Sequence, residues 1–201
     1  MKYFQQLPKV QYTDFNGNYI NLTNLLVRVN VIPDLLKNPL LYYSYDVKDT
    51  DTPEIVADKY YGNPDDFWLV MFSNQFLDPQ WDWPLSYYNF GLYINDKYGS
   101  IANAQSQTVQ YTMTTTTTDQ LYGSSSSVTT VIDAAAFANT ITGTTSATLP
   151  SGDVVSITIS TQPVTAYDYE FQLNESKRSI NLINAQYAPS VKAQLQSLLS
   201  Q

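Results

Sequence analysis

Side chains able to do chemistry are scarce in this chain, and their kinds limit what it can be. Its 201 residues include no histidine and no cysteine. Ser-His-Asp and Cys-His nucleophiles, Cys/His zinc and iron–sulfur sites and disulfides are therefore excluded. Carboxylates remain. Asp46, Asp49 and Asp51 have a calcium-like spacing, but the glycine and terminal glutamate of an EF-hand loop are missing, so they read as solvated turn carboxylates. Asp65-Asp66 resembles an acid–base couple, yet two acids in a helix's first turn are explained by the helix dipole. No other Asp or Glu pair is singled out by its surroundings, which leaves a two-carboxylate glycosidase without support. Tyr42-Tyr43-Ser44-Tyr45 offers rings for sugar stacking, and a strand covered on both faces accounts for it as well. Trp81 and Trp83 stand in a loop beside Asp78 and Asp82. Either they fold back as a lid over the core, or they anchor a protein interface, where Trp often dominates the binding energy. No catalytic, cofactor or metal set emerges.

Composition agrees with a binding or structural role. The hydrophobic fraction is 43%, enough for a real core, while charged residues are only 14%, against the usual quarter or so. Ten Lys and Arg face eighteen Asp and Glu, a net charge of −8. No Lys or Arg occurs from Tyr98 to Ser176. Nucleic acid is not an expected partner, because phosphate binding needs a basic stripe. No apolar run reaches the length of a membrane span. Met1-Lys2-Tyr3-Phe4-Gln5-Gln6 lacks an apolar region, so no secretory signal is expected.

Four zones carry these residues. Residues 1–39 form an N-terminal arm. Val10 to Tyr12 leads as a strand into Phe15-Asn16-Gly17-Asn18, a turn in which Asn-Gly tolerates positive φ. Leu22, Leu25, Leu26 and Val29 have helical spacing, while Val27, Val29 and Val31 favour a strand. Residues 40–99 hold all three tryptophans. Leu40 to Val47 suits a strand. Thr52 caps a helix with Pro53 in its first position and Glu54 at the positive dipole end. That helix turns Ile55, Val56 and Tyr60 inward and stops at Gly62. Asn63-Pro64 starts another, apolar around most of its circumference through Phe67, Trp68, Val70, Met71 and Phe72, and so buried on more than one side. It ends near Ser73-Asn74. A third helix starts at Ser86, repeats Tyr87, Phe90, Ile94 and Tyr98, and ends at Gly99.

Residues 100–163 are Ser/Thr-rich and almost uncharged, with Thr114 to Thr118 in a row. Asp133 to Phe137 suggests a short helix. Val154 to Ile159 alternates as a strand after the Pro150-Ser151-Gly152-Asp153 turn, giving a small β-rich insertion with a flexible tip at Ser124 to Ser127. In residues 164–201, Tyr167, Tyr169, Phe171 and Leu173 alternate as a half-buried strand. Asn174 to Arg178 then turns into a return strand with Ile180 and Leu182. Val191, Leu195, Leu198 and Leu199 make an amphipathic C-terminal helix.

The strand–helix–helix–strand run from Leu41 to Leu85 resembles a LysM module, through Thr50-Asp51-Thr52, Ile55-Val56-Ala57, Tyr60-Tyr61-Gly62 and Asn74. It departs from one in starting both helices with Pro, in lacking Gly before Asp51, and in holding Trp81-Asp82-Trp83-Pro84-Leu85 where LysM has a Pro-Gly segment. These departures are similar to a narrower family. The chain resembles the small LysM-like baseplate wedge protein of T4-like contractile-tail bacteriophages. The resemblance rests on Tyr3-Phe4 with Leu7-Pro8-Lys9, Asp51-Thr52-Pro53-Glu54, Tyr61-Gly62-Asn63-Pro64, Trp68, Asn74, Asp82 to Ser86 and Lys97-Tyr98-Gly99. Tyr169-Glu170-Phe171 and Asn174 to Ile180 close it. It covers about residues 1–100 and 164–199 and leaves about Gln105 to Gln162 outside, as an insertion.

The expected fold class is α+β: a LysM-like β-α-α-β module with a following helix, a β-rich Ser/Thr insertion, and a C-terminal β-hairpin with helix. The resemblance implies a structural protein of the virion tail baseplate, present in several copies, that clamps neighbouring wedges and takes part in the rearrangement starting sheath contraction. Other wedge and tail proteins are the implied partners, and no cofactor or catalysis is implied. A surface rich in aromatics and poor in Lys, Glu and Asp suits interfaces. The expected contact residues are Tyr61, Trp81, Asp82, Trp83 and Tyr87, with Leu195 and Leu199 in a second region. The alternative reading is a peptidoglycan- or chitin-binding module that uses the same LysM-like segment.

Overall fold

The computed structural model describes residues 3–27 and 39–199. It divides into two compact units. One joins Met1–Ser86 to Asn174–Gln201, and the other is Tyr87–Leu173.

In the first unit, strands β1 (Lys9–Thr13) and β2 (Tyr19–Thr23) form an antiparallel hairpin in which Val10 faces Leu22 and Tyr12 faces Ile20. Gly17, at φ 83°, makes the tight turn. Leu25 and Leu26 lie in a turn after β2, and Val29 and Val31 fall outside the described residues. Strand β3 (Tyr42–Asp46) is followed by helix α1 (Pro53–Tyr61). The Thr52 hydroxyl accepts the amide of Ile55 at 3.4 Å, and Gly62 closes α1 in the left-handed conformation at φ 71°. Both signals were legible, because a Ser/Thr cap, Pro at the first position and Gly after the last each meet a stated need of helix ends. Asn63 starts a 3-10 turn, which leads into helix α2 (Phe67–Ser73).

The first unit's second sheet is the pair β3–β8, with β8 at Ser179–Ile183 and Tyr45 opposite Ile180. This corrects two expectations. The segment after Trp83 forms no strand, so β8, far away in sequence, pairs with β3 instead. The alternating residues Tyr167 to Leu173 are not a strand but most of helix α6 (Ala166–Ser176), so there is no C-terminal hairpin. Two apolar clusters make the core. Leu7, Trp68, Leu69, Ile183, Ala188, Leu195 and Leu199 form one. Val47, Val56, Ala57, Val70, Trp83, Ile180 and Leu182 form the other. Helix α2 supplies both, as its all-round apolar sequence requires. In α1 it is Val56 and Ala57 that turn inward, while Ile55 is exposed. Helix α7 (Ala188–Leu199) buries Leu195 and Leu199.

The second unit contains helices α3 (Tyr87–Tyr98) and α4 (Ile101–Ser106), strands β4 (Thr108–Asp119) and β5 (Ser124–Ile132), helix α5 (Ala134–Asn139), and strands β6 (Gly143–Thr148) and β7 (Val154–Thr165). The first two turns of α6 belong to it. Phe90 meets Tyr167 and Phe171 edge to face at 5.6 and 5.9 Å. The four strands form one antiparallel sheet in the order β5-β4-β7-β6. Ser124 to Ser127, expected as a flexible tip, are strand residues paired with Thr116 to Asp119. Hydroxyl pairs such as Thr114–Thr129 and Thr116–Ser127 explain how so polar a run holds a ladder.

Candidate interaction surfaces

Most residues singled out by sequence are used inside the first unit. The Asp51 side chain is fully buried and accepts Lys59 Nζ at 2.5 Å, the Tyr45 hydroxyl at 2.7 Å and the Lys48 amide at 3.1 Å. Burial raises its pKa, but those bonds outweigh burial and hold the carboxyl below its ordinary range. Burial, together with the bond to Asp51, pushes the Tyr45 hydroxyl up to about 12. Asp51 is therefore a structural anchor and not a solvated turn carboxylate. Asp46 and Asp49 do not join it. Asp49 meets Arg178 at 3.3 Å, and among the described residues no three acidic side chains gather as a metal site. Asp66, also buried, accepts Lys192 Nζ of α7 at 2.5 Å.

The tryptophan loop splits. Trp83 is 8% exposed, meets Phe76 edge to face at 6.1 Å, and donates its indole N–H to the Asp51 carbonyl at 3.1 Å. It is a lid over the core. Trp81 is 56% exposed, and its carbonyl accepts Lys177 Nζ. Asp82 shapes the loop by accepting the amides of Leu77 and Asp78 at 2.8 and 2.9 Å, which lowers its pKa. Tyr61 is half-buried and donates its hydroxyl to the Ile183 carbonyl at 2.9 Å. Burial raises its pKa. Leu195 and Leu199 are core residues. Trp83, Leu195 and Leu199, expected as contact residues, thus have most of their apolar surface packed within the chain itself. Tyr87, in the second unit, is exposed.

Residues named in the sequence only as pieces of the resemblance, with no bonding role, tie distant parts of the chain together. Asn74 donates to the Asn181 carbonyl at 2.9 Å and accepts the Asn181 amide at 2.8 Å, fastening α2 to β8. Asn174 makes the same reciprocal pair with Leu85, at 2.7 and 3.0 Å. Arg178 reaches Glu175, Asp49 and the carbonyls of Val47 and Leu85. In the second unit, buried Glu170 accepts Lys97 Nζ at 2.7 Å and the hydroxyls of Tyr98 and Tyr93 at 2.9 and 3.1 Å. Burial raises the Glu170 pKa, but these bonds prevail and lower it.

Two apolar surfaces lack cover among the described residues. A cleft of about 720 Å³ is lined by Tyr3, Leu7 and Val27 on one side and by Trp68, Met71 and Phe72 of α2 on the other. The Trp68 indole N–H is buried there without a hydrogen-bond partner. The second surface is the β1–β2 hairpin. Every strand residue in it is exposed. Register places Val10, Tyr12, Ile20 and Leu22 on one face, at 44–50% exposure, and Lys9, Gln11, Thr13, Tyr19, Asn21 and Thr23 on the other. Phe15 at the tip is fully exposed. Val10 to Tyr12 form the expected strand, but Leu22, read from its spacing as helical, stands in β2. No helix among the described residues is long and apolar enough to cross a membrane.

A family model described as base plate wedge protein 53 matches residues 4–115, more than half of the chain. It takes in the hairpin, β3, α1, α2, the tryptophan loop, α3 and the start of β4. The C-terminal part of the resemblance lies outside that match. A search of curated proteins found no match.

Proposed function

We propose, since the chain belongs to the base plate wedge protein 53 family and so to the tail baseplate of a phage virion, that it is a structural joint that grips neighbouring baseplate proteins with its N-terminal hairpin. The apolar face of that hairpin, without cover among the described residues, carries the reading. A two-stranded hairpin alone in water is marginally stable, and four apolar side chains on one face ask for a partner surface. Trp81 and Tyr87, both exposed, are further proposed contacts. Joining adjacent wedges, several copies to a particle, and taking part in the rearrangement that triggers sheath contraction are the finer roles we assign, with no catalysis. The β3–β8 sheet with α1 and α2 is read as a LysM-like core whose closing strand comes from the far end of the chain.

The polar groups of that core support a joint over a glycan site. Asp51, Thr52 and Asn74 lie in the loops a saccharide would enter, yet each is spent on an internal bond. The test is co-expression with the other wedge proteins of the same phage. The native chain is expected to copurify in a particle. Leu22→Glu combined with Tyr12→Ser is expected to fold but stay out of it. Normal incorporation of this folded variant would refute the hairpin's role. Retention of the native chain on insoluble peptidoglycan would favour the glycan reading.

A further inference from the structure

We propose that strand β5 is a second interaction surface and that its occupant is β5 of another copy of this chain, paired antiparallel about a two-fold axis at Val128. The surface is separate from the hairpin, and the inference does not depend on the hairpin's role. β5 lies at an edge of the four-stranded sheet and, among the described residues, has a strand neighbour on one side only. Its outer row of backbone N–H and C=O groups is a template for a further strand. Natural edges are guarded by charges, proline, bulges or shortness. β5 has none of these: it runs nine residues, Ser124 to Ile132, with no charge and no proline, paired without a bulge. The other edge, β6, has six residues.

The occupant follows from the order of side chains. Ser126-Ser127-Val128-Thr129-Thr130 reads hydroxyl, hydroxyl, valine, hydroxyl, hydroxyl in either direction. An antiparallel two-fold pairing centred on Val128 sets each of these five residues against its own chemical class, while Ser125 would face Val131 and Ser124 would face Ile132 at the two ends. Ser127 would face Thr129 of the second copy, and Ser126 would face Thr130. The sheet already uses such pairs: Thr114–Thr129 at 3.0 Å, Thr116–Ser127 at 2.8 Å, Thr144–Thr158 at 2.9 Å and Ser146–Ser156 at 2.8 Å. The second copy would extend this ladder across the axis. On the opposite face Val128, 62% exposed, would meet its own counterpart and lose that exposure. Asp119 and Asp133 flank the strand at its ends, so no like charges meet in the middle of the pairing.

The absence of cysteine makes the test clean, since one introduced thiol gives one label per chain. Nitroxide labels at Val128→Cys and, separately, at Ser124→Cys are attached to the full chain, and label-to-label distances are read alongside the mass in solution. A dimer is expected, with a short distance at 128. At 124 the two labels should stand about 27 Å apart, eight residues of antiparallel strand. Val128→Lys sets two ammonium groups against each other and should return the chain to monomer with unchanged circular dichroism. A monomeric native chain overturns the proposal. So do short distances at both positions, which mean parallel pairing, and a Val128→Lys chain that stays dimeric. Should Val128→Lys fail to fold, the two label distances decide alone.

Discussion

Trp81 and Trp83 are two residues apart and identical in kind, yet the structure gives them opposite roles that separate substitutions can resolve. Trp83→Ala removes a ring that is 92% buried in the second core cluster and orphans the Asp51 carbonyl that its N–H now satisfies. Truncating a core Trp to Ala costs about 3–5 kcal/mol, and the lost hydrogen bond falls within the same range of effect. Whole domains are stable by only about 5–15 kcal/mol, so the urea midpoint should fall by a large fraction of its native value. Trp81→Ala removes a ring more than half exposed and leaves the carbonyl that Lys177 uses, because that carbonyl is backbone. Its stability change should stay within about 0.5 kcal/mol. Urea titrations followed by circular dichroism measure both, and incorporation into baseplate particles is scored on the same samples. Trp81→Ala should stay folded and assemble poorly, whereas Trp83→Ala should lose the fold first. Equal urea midpoints for the two variants would refute the assignment of Trp83 to the core.

Acid should weaken the protein through Asp51 and Glu170. Both carboxyls have pKa values lowered by folding, so the unfolded chain binds more protons as the pH falls. Their contribution is complete above the unfolded values of about 4 and is lost as the pH drops through the lowered folded values. Urea midpoints measured from neutral pH downward should decline in that window, and Asp51→Asn should flatten part of the decline; an unchanged slope would count against the network. Gly62→Ala should cost about 1 kcal/mol, because φ 71° is left-handed. No atom lies within 4 Å of the added methyl, so a much larger loss would mean that something other than backbone strain is at work.

What could be read from the chain was whatever is decided within a few residues. Thr52-Pro53, Asn63-Pro64, Gly62 and Gly17 each answer a local demand of backbone geometry, and each stands where expected. Helix α6 was missed because its inward stripe is Ala166, Glu170 and Asn174, all buried. Two of the three are polar, which hides the helical stripe that Tyr167 and Phe171 share in packing on Phe90, while Tyr167, Tyr169, Phe171 and Leu173 in every second place imitate a strand. Glu170 is tolerated there only because two tyrosines and a lysine satisfy it, and Asn174 because Leu85 does. Partners so distant in sequence leave no local mark. The same holds for the pairing of β3 with β8.

That distribution of bonds bears on how such a joint would work. Buried ion pairs add little net stability, because desolvation offsets attraction. Their geometry is demanding, however: Asp66–Lys192 fixes the turn before α2 against α7, and Asp51, held by Lys59 of α1 and Tyr45 of β3, ties α1 to β3. Asn74 and Asn174 do the same with paired backbone bonds. The core is thus held by directional contacts that resist sliding, while the hairpin before it offers a non-directional apolar face. A rigid body passes a displacement from one partner to the next without absorbing it. Loosening the body should then uncouple neighbours even where the arm still docks. Asn74→Ala tests this: it removes both bonds to Asn181 without touching the hairpin. The expected result is particles that assemble but respond poorly when contraction is induced, as counted by electron microscopy of extended and contracted tails. Normal contraction with a measurably softened first unit would show that its rigidity is not what transmits the change.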